Sequence, residues 1–157
     1  MSGADEVQVV TFRLGGHDYA FNIFQVGRIL RYEEPATLPN APAFLEGMIR
    51  FAGRVVPVID LRKRVNVDAP HRDDTRIMIL EWEDGNIGIV VDAVLEVLKV
   101  AAQTITPPPK IVRGLAAKYI SGIIAHGDRT IVVLSAPAIL NSEERLEVEA
   151  LVEATHE

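Results

Sequence analysis

The chain has 157 residues, 48% of them hydrophobic and 24% charged, enough for one compact domain with its own core. Twenty-two acidic against 16 basic residues give a formal charge of −6, which favours solubility and argues against a broad, non-specific grip on nucleic acid or anionic lipid. The absence of cysteine excludes disulfides, thiol nucleophiles and thiolate metal sites.

The amino terminus, MSGADEVQVV, is acidic where a secretory signal would be basic, and no apolar run approaches the roughly 20 residues that cross a bilayer. The expectation is a soluble cytoplasmic protein with a flexible start at 1–6, one folded domain over 7–152 and a tail at 153–157. Strand signals then follow in order: VQVVTFRL (7–14), DYAFNI (18–23), GMIRF (47–51), RVVPVIDL (54–61), RIMILEW (76–82), IGIVVDAV (87–94), YISGII (119–124) and RTIVVL (129–134). Each is short, rich in Val and Ile, and bounded by Gly, Asn, Asp or Pro. Pro57 cannot donate a ladder hydrogen bond, which places it at an edge or bulge, and Gly47 and Gly122 mark bends. In two places the pattern stays ambiguous, because Ile23, Val26 and Leu30, like Val91, Val94, Leu95 and Leu98, also fit a short helical stripe. Asn141 followed by Glu144 reads as a capping box opening a terminal helix, with Leu146, Ala150 and Leu151 expected to pack back on the core.

The chain also repeats itself. YAFNIFQVGRIL (19–30) lies on IGIVVDAVLEVL (87–98) at an offset of 68, with TFRLGGHD and ILEWEDGN continuing in register. FLEGMIRFAGRVVPVID (44–60) lies on YISGIIAHGDRTIVVLS (119–135) at an offset of 75. The offset grows because the connector is 13 residues long in one copy (31–43) and 20 in the other (99–118), and both connectors are proline-rich and expected to be extended. Strands at this spacing suggest two small barrels or a sandwich. A half of about 65 residues buries too little surface to stand alone, so the halves should share a central apolar layer and unfold together.

No catalytic constellation emerges. His17, His71, His126 and His156 have no HxxxH or HExxH spacing, Ser121, Ser135 and Ser142 lack a GxSxG elbow, and GNIG (85–88) and LGG (14–16) read as hairpin turns. Asp60 and Asp92 each close an apolar run, where a carboxylate reaches solvent or accepts turn N–H groups, and they are not equivalent in the repeat. Arg62, Lys63 and Arg64 read as a solvated strand exit. With no metal or cofactor site implied, the leading class is binding through edge strands or a groove between the halves.

The stretches DYAFNIFQVGRILRY, PNAPAFLEGMIRFAGRVVPVIDLRKR, IGIVVDAVLEVL, ITPPP, YISGII and GDRTIVVLSAPAILNSEE, from about Val7 to Leu151, resemble the bacterial chemotaxis coupling proteins of the CheW family. The resemblance implies a mainly β fold: two pseudo-symmetric five-stranded SH3-like β-barrels sharing a hydrophobic core, with a C-terminal α-helix. It implies a non-enzymatic adaptor between the cytoplasmic tips of methyl-accepting chemoreceptors and the regulatory domain of the CheA histidine kinase, assembled into arrays or rings. A scaffold for pilus, gliding or second-messenger control and a small carboxylate-dependent enzyme are the alternatives.

Carried over by position, Val26 and Ile29 match the family's VxEI segment and Val97 its VxxV segment, both associated with partner binding. Two departures stand out. The family's NLRG motif reads Arg50-Phe51-Ala52-Gly53 here, so Ala52 replaces an arginine implicated in partner binding, and Arg28 replaces the family's usual Glu. Arg50 or Arg28 is then expected to make a rearranged ion pair with a matched receptor or kinase.

Overall fold

A computed structural model describes residues 5–64, 73–82, 85–107 and 119–155. Over these residues the elements run β1 (Glu6–Leu14), β2 (His17–Asn22), β3 (Val26–Arg31), β4 (Leu45–Phe51), β5 (Arg54–Asp60), the single helical turn α1 (Leu61–Arg64), β6 (Arg76–Trp82), β7 (Gly85–Val91), β8 (Ala93–Ala101), β9 (Ile105–Thr106), β10 (Ile120–His126), β11 (Arg129–Leu134) and the helix α2 (Ser142–Thr155). The two ambiguous stripes are strands. Ile23–Gln25 is a 3-10 turn capped by Asn22 Oδ1, which accepts from the Phe24 N–H at 3.0 Å; β3 follows it directly, and the second stripe is the end of β7 and most of β8.

The strands form two sheets, one in the order β8-β1-β2-β11-β10-β9 and one in the order β3-β6-β7-β5-β4. The second meets the five-stranded expectation, and the first gains a sixth strand from the two-residue β9. Neither sheet corresponds to one half of the repeat. The β1–β2 hairpin of the early copy pairs with β8 and, in parallel, with β11 of the late copy; the β6–β7 hairpin of the late copy pairs with β3 and, in parallel, with β5 of the early one. The copies have exchanged hairpins, so each lobe is built from both.

The register shifts obey the same symmetry. The bulge that skips Gly27 in β3 answers the one that skips Leu95 in β8, and the shift at Leu45/Gly47 answers that at Ile120/Gly122. Gly47 shows why its bend needs glycine. Its φ is +151°, and a Cβ there would run into the Ala36 carbonyl oxygen, because Ala36 bridges to Met48. Pro57 lies on an interior strand rather than an edge one, but β7 pairs with β5 only over Val58–Asp60, so at Pro57 the strand has a single neighbour, β4.

The doubly apolar strands follow from three buried layers rather than one. Val9, Ala20, Leu98, Ile124, Ile131 and Val133 fill the six-stranded lobe; Ile49, Val56, Val58, Ile77, Ile79 and Val90 fill the five-stranded one. Alternate residues of the same strands, including Val10, Phe12 and Phe21 from the first lobe and Ile59, Leu80, Ile87 and Ile89 from the second, form the layer between them. Helix α2 closes one side of it. The capping box is formed, with Asn141 Oδ1 accepting from the Glu144 N–H at 2.8 Å and Glu144 Oε1 from the Asn141 N–H at 3.0 Å. Val148, Leu151 and Val152 face the core, whereas Leu146 and Ala150 face solvent, which corrects the expected stripe. No described helix is long and apolar enough to cross a membrane.

Candidate partner-binding surface

The residues matched to the family's binding segments divide by burial. Val26 is half-buried against the central layer, a packing position, while Ile29 on β3 and Val97 on β8 are 41% and 52% exposed. Their equivalence is physical. The two are related by the offset of 68, β3 and β8 each end a sheet, and each residue therefore sits at the same place on a strand edge of its lobe.

Arg28, Arg50, Phe51 and Gly53 cluster where β3 meets the β4–β5 hairpin. The Arg28 guanidinium carbon lies 5.8 Å from the Phe51 ring centroid, joining the two ends of the five-stranded sheet, and Phe51 packs against that lobe's interior. Arg50 points to solvent on β4. Ala52 and Gly53 form the two-residue hairpin loop with φ of 53° and 76°, the primed turn that suits a twisted hairpin but strains any residue carrying a Cβ. Ala52→Gly is therefore expected to stabilise the protein by about 1 kcal/mol, raising the melting temperature by roughly 2–4 °C. A calorimetric scan measures this, and a lower midpoint would show that the strain is absent.

Asp60 does not reach solvent and Arg62 is not a solvated exit; they are 7% and 3% exposed. The turn α1 folds Arg62 back over the strand it follows. Its backbone N–H and its Nε both donate to Asp60 Oδ1, at 3.0 and 2.9 Å, and Nη2 donates to Asp60 Oδ2 at 2.8 Å. Nη1 reaches Asp92 Oδ1 at 3.2 Å, and Asp92 Oδ2 accepts the Gly15 N–H of the β1–β2 turn at 2.7 Å. The side-chain hydrogen bonding to Asp60, which accepts, is the main reason that the arginine's pKa is raised above its ordinary value, with burial opposing it. Two carboxylates that sequence reading kept apart are thus joined by a cation, and both oxygens of Asp60 are engaged by it. The Lys63 and Arg64 side chains lie outside the described residues.

Among the described residues the remaining candidates come together in no cluster. His17 and His126 are exposed at hairpin ends, and His71 and His156 lie outside the described residues. Ser121 Oγ donates to the Val133 carbonyl at 3.3 Å, Gly15 and Gly16 form the β1–β2 turn, and Gly85–Gly88 lie within β7 rather than in a turn. Among the described residues there is no group of three or more His, Asp or Glu side chains able to hold a metal ion. Sequence reading passed over Phe24, which is 87% exposed on the turn before β3. A signal was present, since Phe24 aligns in the repeat with the charged residue Asp92.

A family model described as the CheW-like domain matches residues 8–144. The chain belongs to the CheW-like domain family. Chemotaxis protein CheW of Klebsiella aerogenes is 33% identical over 138 residues, covering 87% of this chain and 83% of the relative. Chemotaxis protein CheW of Treponema pallidum is 29% identical over 145 residues, covering 89% and 85%. The crystal structure of the scaffolding protein TtCheW from Thermoanaerobacter tengcongensis superposes with a TM-score of 0.81 at 31% identity, covering 88% of this chain and 96% of that one.

Proposed function

We propose that this protein is a non-enzymatic adaptor of a chemosensory pathway, holding a CheA-type histidine kinase regulatory domain and methyl-accepting chemoreceptor tips together at receptor arrays in the cytoplasm. One observation carries the reading. Among the described residues only four large apolar side chains are strongly exposed, and two of them, Ile29 and Val97, occupy equivalent positions on the edge strands of the two lobes. Phe24 and Leu146 are the other two and have no such counterpart, so Ile29 and Val97 offer two matched adhesive edges, one per lobe, and an adaptor needs two faces. The partner-binding set is Val26, Arg28, Ile29, Arg50, Phe51, Gly53 and Val97, with Ile29 and Val97 as apolar anchors and Val26 supporting from beneath.

The lobes act as one domain in this reading, because each sheet contains strands of both repeat copies and neither can be removed without leaving open edges in the other. A rigid two-faced body transmits signal only if its contacts differ between the kinase's on and off states, since equal affinity for both shifts nothing. The test is co-sedimentation with receptor tips and kinase, read together with kinase autophosphorylation. Ile29→Asp and Val97→Asp are each expected to weaken one partner about tenfold or more while leaving the fold intact. Retention of both partners by both variants would remove the basis for the reading.

A further inference from the structure

The repeat makes one lobe a template for the other. In the six-stranded lobe Arg129 is clasped by two carboxylates: its Nε donates to Asp18 Oδ2 at 2.7 Å and its Nη1 to Glu96 Oε2 at 3.1 Å. These residues come from β11, β2 and β8, so the clasp ties three strands, and Arg13 adds a weaker contact at 3.6 Å from Asp18 Oδ1. At the repeat offsets Arg129 corresponds to Arg54, Asp18 to Asn86 and Glu96 to Arg28. The strand registers agree independently. Phe51↔Arg54 answers His126↔Arg129, Ile79↔Arg28 answers Thr11↔Glu96, and Glu81↔Asn86 answers Arg13↔Asp18.

In the five-stranded lobe, then, the arginine is kept while one of its carboxylates has become an amide and the other a second arginine. Among the described residues neither Arg28 nor Arg54 makes an ion pair. Arg28 rests on Phe51, the residue paired across the hairpin from Arg54. Among the described residues nearby acids do not fill the gap: Glu81 lies against Gly27, and Glu149 and Glu153 of α2 share with Arg54, Asn86 and Arg145 a cavity of about 350 Å³ without pairing to Arg54. Two guanidinium groups without an ion pair among the described residues, on a chain of net charge −6, form a local site for anions, and guanidinium forks match carboxylates in geometry.

We propose that Arg28 and Arg54 form a docking site for an acidic segment of a partner protein, whose carboxylates take the places that Asp18 and Glu96 hold in the other lobe. This deepens the adaptor reading and rests on it for the identity of the partner, not for the chemistry. The experiment has two arms. In the first, the isolated protein is titrated with a decapeptide of alternating glutamate and alanine while the arginine Nε–Hε signals are followed by NMR. The signals of Arg28 and Arg54 should move and that of Arg129, already clasped, should not; no movement at Arg28 and Arg54, or equal movement at all three, overturns the site. In the second, affinities for receptor tips and kinase are measured for the native chain, Arg28→Glu and Arg54→Gln. Arg28→Glu should close the clasp internally on Arg54, abolish the peptide response and weaken one of the two partners about tenfold or more, and Arg54→Gln should weaken the same partner. Native affinity for both partners in both variants overturns the proposal even if the adaptor role stands. A peptide response with no binding of either partner by the native chain sinks the adaptor role while the acidic-segment site survives.

Discussion

Replacing Arg62 with alanine is expected to remove about 3–5 kcal/mol of stability, because it strands the Asp60 carboxylate in a place closed to water. Asp60 is 7% exposed and has both oxygens on the guanidinium, so without it the carboxylate must stay charged and unpaired or take up a proton. Asp92 loses less, since it is more open and keeps the Gly15 N–H. Urea unfolding monitored by circular dichroism gives the loss. Combining Arg62→Met with Asp60→Asn should restore most of it, because the cost lies in the uncompensated charge rather than in the absence of the pair. The arginine's pKa is raised on folding, so its contribution is fully present at every pH below the ordinary arginine value and fades only as pH climbs through the higher folded-state value. Near neutrality the native protein should therefore show no pH-dependent loosening from this group. A loss under 1 kcal/mol in Arg62→Ala would mean that water reaches the site freely.

The repeat was legible because apolar spacing survives duplication, and Val/Ile-rich runs mark the strands other than β3, β8 and β9, the first two of which also fit a helical stripe. The exchange of hairpins was not legible. An offset says which strands are equivalent but not which are partners, and pairing β1 with β3 would satisfy the same alternation as pairing it with β8. The site was legible in part for a related reason. Ile29 and Val97 look like core residues in a list of aliphatics, and only the placement of β3 and β8 at sheet ends turns them outward. Arg62 was misread because three consecutive basic residues suggest a solvated exit. The spacing Asp60-Leu61-Arg62 held the contrary signal, since a carboxylate two residues before an arginine can take both its backbone N–H and its fork once the chain turns. The stripped clasp around Arg54 becomes visible only when registers in both lobes are compared, because Asn86 and Arg28 are unremarkable surface residues taken singly.

Phe12→Ala should cost about 3–5 kcal/mol, and where that loss is felt matters more than its size. Phe12 is fully buried on β1, its ring stacked 5.2 Å from Phe21 and 6.1 Å from Tyr19, in the layer between the lobes. That layer also contains Leu80, Ile87 and Ile89 of the other lobe, and β1 belongs by sequence to the copy that gives β3, β4 and β5 to that lobe. A cavity there weakens the one surface that both lobes share, so a single unfolding transition should move to lower denaturant with its cooperativity unchanged. Amide exchange should accelerate in β5 and β11 alike. The comparison is Ile131→Ala, which opens a cavity inside the six-stranded lobe alone, and Val56→Ala, its repeat equivalent inside the five-stranded lobe. If the hairpin exchange binds the lobes into one unit, all three variants should lower protection in both lobes by amounts that track their total destabilisation. Exchange that quickens only in the lobe carrying the cavity, or a second transition in the melting curve, would show that the lobes unfold separately despite their crossed strands.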